Sequence, residues 1–430
     1  MDREALRKTV VQQLLDFRED SPFIQRTLPV DFDSHLKGPE VSVITGVRRC
    51  GKSTFFKQIQ MLLPQPNKVY FFDFEDPLLD DFGIQDLQTV YELWLEMDSP
   101  RDQDSVFIFY DEIQNVENWE RWVRKLAKYK KHKIFVTGSN SQMLSGELAT
   151  ALTGRHRPIH MMPLSFFELC EHSFQLSQLD ALSQESTEIS VKKNKILESL
   201  LRIGGFPRPH LEKNTSLLPL YFNDIITKDI IRRRKIKNSQ ALVRLGGLLC
   251  RENTRLFNRA KTSKILDIKD NSTFSKYCSY FQETFLFYEI RQYSPSLRKQ
   301  MRSLSKFYCV DPALPRSVAG SSSSGYSSEF ENLVFLELKR IFSEIYYWRS
   351  QDGREVDFLV KGQKGWRGIQ VAYSVSSPET LNREIEALKS LNSEIAVEKN
   401  YIVTAAENRT IKTDSVRVEV ISLDRLKKTV

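Results

Sequence analysis

The sequence predicts an α/β chain built on a parallel sheet whose strand ends form a phosphate-binding site, with smaller modules after it. Three observations lead there. Between residues 41 and 162, five short apolar runs alternate with helical stretches. The first run opens into Gly46-Val47-Arg48-Arg49-Cys50-Gly51-Lys52-Ser53-Thr54, which fits G-x-x-x-x-G-K-[ST]. The third run closes in two adjacent carboxylates, Asp111 and Glu112.

The elements follow in order. Leu6, Val10, Val11, Leu14 and Leu15 recur at helical spacing and predict a helix over 4–17. Runs at 41–45, 69–74, 106–110, 134–137 and 158–162 are rich in β-branched and aromatic residues, as strands buried on both faces are. Helical patterns after the first four make the strands parallel. A helical pattern over 165–202 is broken by Gly204-Gly205-Phe206-Pro207. Residues 215–310 read as mostly helical, with a pair at 261–268 and 272–288 around an Asp/Asn turn. The Ser/Gly-rich stretch 318–328 reads as a flexible linker. A helix (329–342), strands near 345–348, 355–360 and 368–372, a second helix (378–391) and strands at 400–403 and 416–421 complete the chain. The expected divisions are 1–170 for the nucleotide domain with its N-terminal helix, 171–235, 236–317, the linker, and 329–430.

Composition narrows the function classes. With 430 residues, 40% hydrophobic and 27% charged, the chain is neither disordered nor collagen-like. No uncharged apolar run approaches the roughly 18 residues of a membrane span. Met1-Asp2-Arg3-Glu4 carries both signs of charge ahead of no apolar stretch, so no secretory signal is expected. The five cysteines (50, 170, 250, 278 and 309) form no CxxC pair, which predicts reduced thiols and a cytoplasmic address. Charge is concentrated. Residues 228–264 hold twelve Lys/Arg and two Asp/Glu, a local +10 in a chain of net +8, so the remainder is near −2. Such a block suits either a polyanion partner or a solvated face with inter-domain ion pairs.

The chemistry lies in the glycine-rich loop. Glycines let the backbone wrap phosphate oxygens, and successive N–H groups plus a helix N-terminus face the negative charge. Residues Gly46 through Thr54 therefore form the expected cradle, with Lys52 on the β- and γ-phosphates and Ser53 on Mg2+. Asp111, closing a neighbouring strand, is assigned to the same Mg2+, and Glu112 to activation of the attacking water. Ser139 and Asn140, after the fourth strand, suit either a γ-phosphate sensor or a helix cap. Arg155 suits either a charge-stabilising finger toward a neighbouring subunit's nucleotide, which would imply a homo-oligomer, or a surface ion pair.

These motifs together resemble the bacterial and archaeal AAA-type P-loop ATPases that carry a C-terminal domain of unknown function. The matching stretches are GVRRCGKST (46–54), FFDFED (71–76), IFYDEIQ (108–114) with Trp119, VTGSNS (136–141), LTGR (152–155), PLSFFEL (163–169), GGFP (204–207), YFNDIITKDI (221–230), FYCVDPAL (307–314), FENLVFLEL (330–338) and YYWRSQDGREVDFLV (346–360). The resemblance implies an ATP- and Mg2+-using core, a helical lid, a winged-helix-like region and a C-terminal α/β domain similar to the PD-(D/E)xK nuclease fold. GGFP resembles the lid element with which related signal-transducing ATPases touch nucleotide, which would place Pro207 near the base. The winged-helix-like region would present Ser272, Thr273, Ser275 and Lys276, making DNA the expected partner of residues 228–288, although its aromatic residues also suit a core. In the nuclease-like domain, Glu331, Asp357 and Gln370 stand where that fold holds a metal ion, but Ala372 replaces the lysine it needs. That departure points to binding or assembly rather than cleavage. The expected function is thus ATP hydrolysis driving rearrangement of DNA-binding C-terminal domains. The alternatives are a nucleotide-gated protein-binding module and an ATP-regulated nuclease.

Overall fold

The computed structural model describes the chain except residues 20–21, 65–66, 80, 102–103, 145–153, 175–185, 238, 269 and 321–324. It divides into two compact units, Met1–Met162 with Glu283–Phe285, and Pro163–Gln282 with Leu286–Val430. The lid, wing-like and C-terminal segments gather in the second unit.

The first unit is the predicted parallel sheet. Its strands are β1 (Val41–Gly46), β2 (Asn67–Asp73), β3 (Ser105–Asp111), β4 (His132–Gly138) and β5 (His156–Met161). They lie in the order β2-β3-β4-β1-β5, and every neighbouring pair is parallel. β1 is buried at every position, as a strand covered on both faces must be. One core cluster joins Leu6 and Val10 of the helix Arg3–Arg18 to Tyr70, Phe72, Trp94, Ile108 and Tyr110. The order places β1 and β3 on either side of β4, so the phosphate loop and the paired carboxylates emerge on the same edge.

The second unit begins with helices Phe166–Phe174, Thr187–Ile203, Pro207–Glu212 and Leu217–Asp224, the last running into a π-helical stretch Ile225–Arg232. A helix Ser239–Arg251 precedes a small antiparallel sheet of β6 (Leu256–Phe257), β7 (Phe287–Arg291) and β8 (Ser305–Cys309), ordered β6-β8-β7. Helices Arg259–Ile265 and Asn271–Glu283 lie between β6 and β7. The expected helix over 272–288 is corrected here. The second helix stops at Glu283, and 287–291 is a strand. Phe285 takes a left-handed turn (φ 58°) between them, so an aromatic run that reads as a helix face is split.

The C-terminal sheet contains β9 (Ile345–Arg349), β10 (Glu355–Lys361), β11 (Trp366–Val371), β12 (Val397–Thr404), β13 (Arg409–Lys412) and β14 (Arg417–Ser422). Its order is β13-β14-β12-β11-β10-β9, with the parallel pair β11/β12 joined through the helix Pro378–Glu394. β13 escapes the sequence reading because its four residues, Arg-Thr-Ile-Lys, carry no apolar run. Of the expected linker, Leu314–Ala319 and Ser327–Lys339 bound the described part as helices, and 321–324 lie outside the described residues.

Candidate functional site

The phosphate loop is shaped by close packing. Gly46 ends β1 against β5, where a Cβ would stand 2.1 Å from the Met161 carbonyl oxygen. Gly51 takes a left-handed φ of 102° as it caps the helix Lys52–Met61, which leaves the first N–H groups of that helix open. Val47 and Cys50 are buried, Cys50 Sγ lying 3.6 Å from the Met161 carbonyl, whereas Arg49 and Ser53 face solvent. The loop is braced from behind by Arg26. Its buried guanidinium donates to the Cys50 carbonyl (2.8 Å) and the Met162 carbonyl (2.6 Å). Gln58 brackets the Arg26 backbone with two 2.8 Å bonds.

Lys52, Asp111 and Glu112 converge. Lys52 Nζ lies 3.0 Å from Glu112 Oε1 and donates to the Gly46 and Val47 carbonyls at 3.1 and 3.3 Å. Burial opposes the lysine's charge, but Glu112 and Asp111 hold its pKa above the ordinary value. Burial likewise opposes ionisation of Glu112. Lys52, then Arg48 and the Gln114 hydrogen bond overcome it and hold the carboxyl down at about 2. Asp111 has the opposite outcome: burial, then the Glu112 charge, push it up to about 6, against hydrogen bonds from Ser53 and Thr137. Ser53 and Asp111, both assigned to Mg2+, are thus already joined. A hydroxyl and a carboxylate on the phosphate-facing edge fit that hard cation, which takes oxygen ligands alongside substrate phosphates.

Three residues around this centre escape the sequence reading. Thr137, at the end of β4, donates its hydroxyl to Asp111 Oδ1 and accepts the Glu112 N–H at 2.9 Å. It fixes the left-handed turn of Glu112 (φ 51°) that swings the carboxylate inward. A threonine closing a β-rich strand gives no signal of this in sequence. Asp73 ends β2 in register with Asp111, and burial with the Asp111 charge pushes it up to about 7. Glu75 pairs with Arg48 of the loop. The FFDFED stretch is therefore the acidic flank of the phosphate site. Its only sequence signal is the density of acids directly after a strand.

Ser139 and Asn140 are buried just beyond β4, between the two motif strands. Arg155 is exposed and lies elsewhere. Its carbonyl accepts the Val41 N–H at 2.9 Å, which puts it at the start of β1 and β5, whereas the phosphate loop follows their ends. Strand rise separates the two edges by about 16 Å, so Arg155 does not act on its own chain's phosphates from this backbone position. Leu152 and Thr153 of the LTGR motif lie outside the described residues.

In the second unit, four of the matched stretches meet. Asp311 is fully buried and accepts N–H bonds from Gly205 (2.7 Å), Phe206 (3.1 Å), Ala313 (2.9 Å) and Leu314 (3.2 Å). Gly204 turns at φ 88°, and Leu164 N–H donates to the Gly205 carbonyl at 2.7 Å. Phe166 N–H donates to buried Glu337 at 2.8 Å, and Arg340 donates to the Pro163 carbonyl at 2.5 Å. The segment that follows β5 in the chain is thereby fastened to the GGFP turn and to the helix Ser327–Lys339. Pro207 opens the next helix at its first position.

Glu331 and Asp357 converge on Lys306 Nζ, and Gln370 stands beside them. Gln370 spends its amide on the backbone of β10: its oxygen accepts from Asp357 N–H (2.8 Å) and its nitrogen donates to the Glu355 carbonyl (2.9 Å). The Gln370 side chain therefore bridges two backbone groups of β10, and its amide oxygen already holds one donor. In the wing-like region, Ser272 and Thr273 hydroxyls donate to Asp270 at 2.5 and 2.8 Å, capping the helix Asn271–Glu283 with a negative charge. Tyr277 and Phe281 are core, while Ser275 and Lys276 are exposed.

A phosphate loop on a five-stranded parallel sheet, with Asp111 and Glu112 beside it, defines a P-loop nucleotide-binding core. The AAA domain family model matches residues 38–170. Models of two domains of unknown function match 194–325 and, as DUF4143, 327–426. An uncharacterized protein of Haemophilus influenzae is 30% identical over 380 residues, covering 86% of this chain and 87% of its own. One of Methanocaldococcus jannaschii is 28% identical over 399 residues, covering 90% and 86%. Among solved structures, the Aeropyrum pernix ORC1 protein in complex with DNA aligns at a TM-score of 0.29 and 9% identity, over 74% of this chain and 92% of that one, which by itself says nothing of this chain's partners. The chain belongs to the family of AAA-type P-loop ATPases that carry a C-terminal domain of unknown function.

Proposed function

We propose that the protein hydrolyses ATP with Mg2+ and uses the nucleotide state to reposition its second unit on DNA. The observation that carries the enzymatic reading is the buried Lys52–Glu112 pair beside Ser53 and Asp111. Lys52 is the natural ligand of the β- and γ-phosphates, so phosphate competes with Glu112 for the same ammonium. Once Lys52 turns to phosphate, Glu112 loses the charge that holds its pKa low and becomes a better acceptor for a proton of the attacking water. Thr137 keeps both carboxylates aimed while this happens. Ser53 and Asp111 would hold Mg2+, which when bound neutralises phosphate charge. Ser139 and Asn140 are assigned to the transferred group, and Pro207 keeps the base-contact role that the GGFP resemblance implies. Arg155 is reserved for a neighbouring subunit. Steady-state turnover tests this directly. Lys52→Ala should lose nucleotide binding or turnover, and Glu112→Gln should bind ATP yet hardly hydrolyse it. Full turnover by Glu112→Gln overturns the assignment.

DNA as the partner is supported by charge. Lys228, Arg232, Lys235, Lys237, Arg244 and Arg251 of the basic block are exposed, a surface suited to phosphate backbones. The N-terminus of the helix Asn271–Glu283 is the weaker candidate contact, because Asp270 already holds its hydroxyls. Cytoplasmic location belongs to the same reading, and among the described residues no helix is long and apolar enough to cross a membrane.

A further inference from the structure

The acids of the C-terminal domain already surround a cation of the chain's own. Lys306, on β8, is 2% exposed. Its Nζ lies 2.7 Å from Glu355 Oε1, 3.3 Å from Glu331 Oε1 and 3.7 Å from Asp357 Oδ1. Two of these acids hold further partners. Tyr308, two residues along β8, donates its hydroxyl to Glu331 Oε1 at 2.8 Å. Asp357 Oδ2 accepts the Val371 N–H at 2.9 Å. Gln370 is closed between two backbone groups of β10. Glu384, the next nearby acid, is paired with Arg383 at 2.6 Å.

We propose that Lys306 is the resident cation of this cluster, standing in place of a divalent ion, and that it ties β8 to the C-terminal sheet across the Ser/Gly-rich segment. A divalent ion touching the same carboxylate oxygens would sit within a few ångströms of a fixed ammonium in a poorly hydrated pocket, where like charges repel strongly. The lysine reaches the cluster from a strand that precedes residues 318–328, whereas Glu331, Glu355 and Asp357 all follow them. Two further links run the same way. Tyr347 donates its hydroxyl to the Leu304 carbonyl at 2.7 Å, and the Asn332 side chain makes two 2.9 Å bonds with the Cys309 backbone. The small sheet and the C-terminal sheet consequently move as one body, and the acids are the socket of that joint rather than a cutting centre.

The test is Mn2+ binding followed by electron paramagnetic resonance on the full chain carrying Asp111→Asn, which silences the carboxylate of the phosphate site. Adding Asp357→Asn should leave the Mn2+ signal unchanged, because no ion sits there. In the same background, Lys306→Met should gain one Mn2+ that Asp357→Asn removes, and hydrogen exchange should rise together in 305–309 and 355–361. Mn2+ bound by the parent and lost with Asp357→Asn overturns the proposal, as does Mn2+-dependent DNA cleavage lost with the same change. If Lys306→Met does not fold, the parent compared with Asp357→Asn still decides.

Discussion

Lys52 and Glu112 are each other's counter-charge, and that single contact organises the chemistry of the first unit. Glu112→Gln removes the competitor for the Lys52 ammonium, so ATP should bind about tenfold more tightly, the equivalent of about 1.4 kcal/mol, while turnover collapses. Isothermal titration with ATP and Mg2+ reads the first effect, and unchanged affinity would mean that phosphate does not draw on this pair. Thr137→Val deletes the hydroxyl shared by Asp111 and Glu112 but keeps the strand's shape. It should lower kcat by roughly 10- to 100-fold, in line with loss of groups that orient a catalytic carboxylate, and cost about 1–3 kcal/mol of stability from the buried Glu112 N–H left unpaired. A kcat within twofold of wild type would reduce Thr137 to a packing residue. Lys52, Asp111 and Glu112 are legible in the sequence because their order along the chain reports their chemistry. Thr137, Asp73 and Arg26 are not, because their roles arise only when strands or loops distant in sequence are laid side by side.

At the scale of single elements, glycines separate positions that packing demands from positions that are merely permissive. Within the helix Ser239–Arg251, a Cβ at Gly246 would stand 2.9 Å from Phe222 Cζ and 3.1 Å from Phe281 Cζ, whereas Gly247 has nothing within 4 Å. Gly247→Ala should therefore stabilise by about 0.5–1 kcal/mol through helix propensity. Gly246→Ala should destabilise by about 1–3 kcal/mol through overpacking. Gly204→Ala at the GGFP turn should cost still more. Its φ of 88° disfavours any Cβ, and the added carbon would meet Asp311 Oδ1 at 2.3 Å. Chemical denaturation of the three variants checks the order, and a stabilising Gly204→Ala would contradict the described turn. Elements differ in legibility for the same kind of reason. The first four strands of the first sheet carry apolar runs and announce themselves, whereas β5, His-Arg-Pro-Ile-His-Met, is exposed at Pro158 and His160. β6 has only two residues, and β7 sits in an aromatic run whose spacing also fits a helix, so both are set by pairing with β8 rather than by local pattern.

Across the whole molecule, the chain forms two compact units, and the Lys306 contacts lie within the second. The phosphate loop belongs to the first and the basic block to the second. They are linked in the chain by the segment after β5 that the GGFP turn and the helix Ser327–Lys339 hold. Under the proposed function, a change at the phosphate site passed along this segment would reach the lid turn, Asp311 and the C-terminal domain together, because these are fastened to one another. DNA binding should then show the signature of a charged surface rather than of base-reading side chains. If about five cations neutralise phosphates, affinity should fall by roughly 500-fold between 50 and 200 mM salt, from a log–log slope near −0.9 per phosphate. Neutralising Arg232, Lys235 and Lys237 together should flatten that slope by about 2–3, with basal ATP turnover unchanged. Fluorescence anisotropy of a labelled duplex over a salt series measures both. A flat salt response, or a slope indifferent to these residues, would direct the search to a protein partner for the second unit.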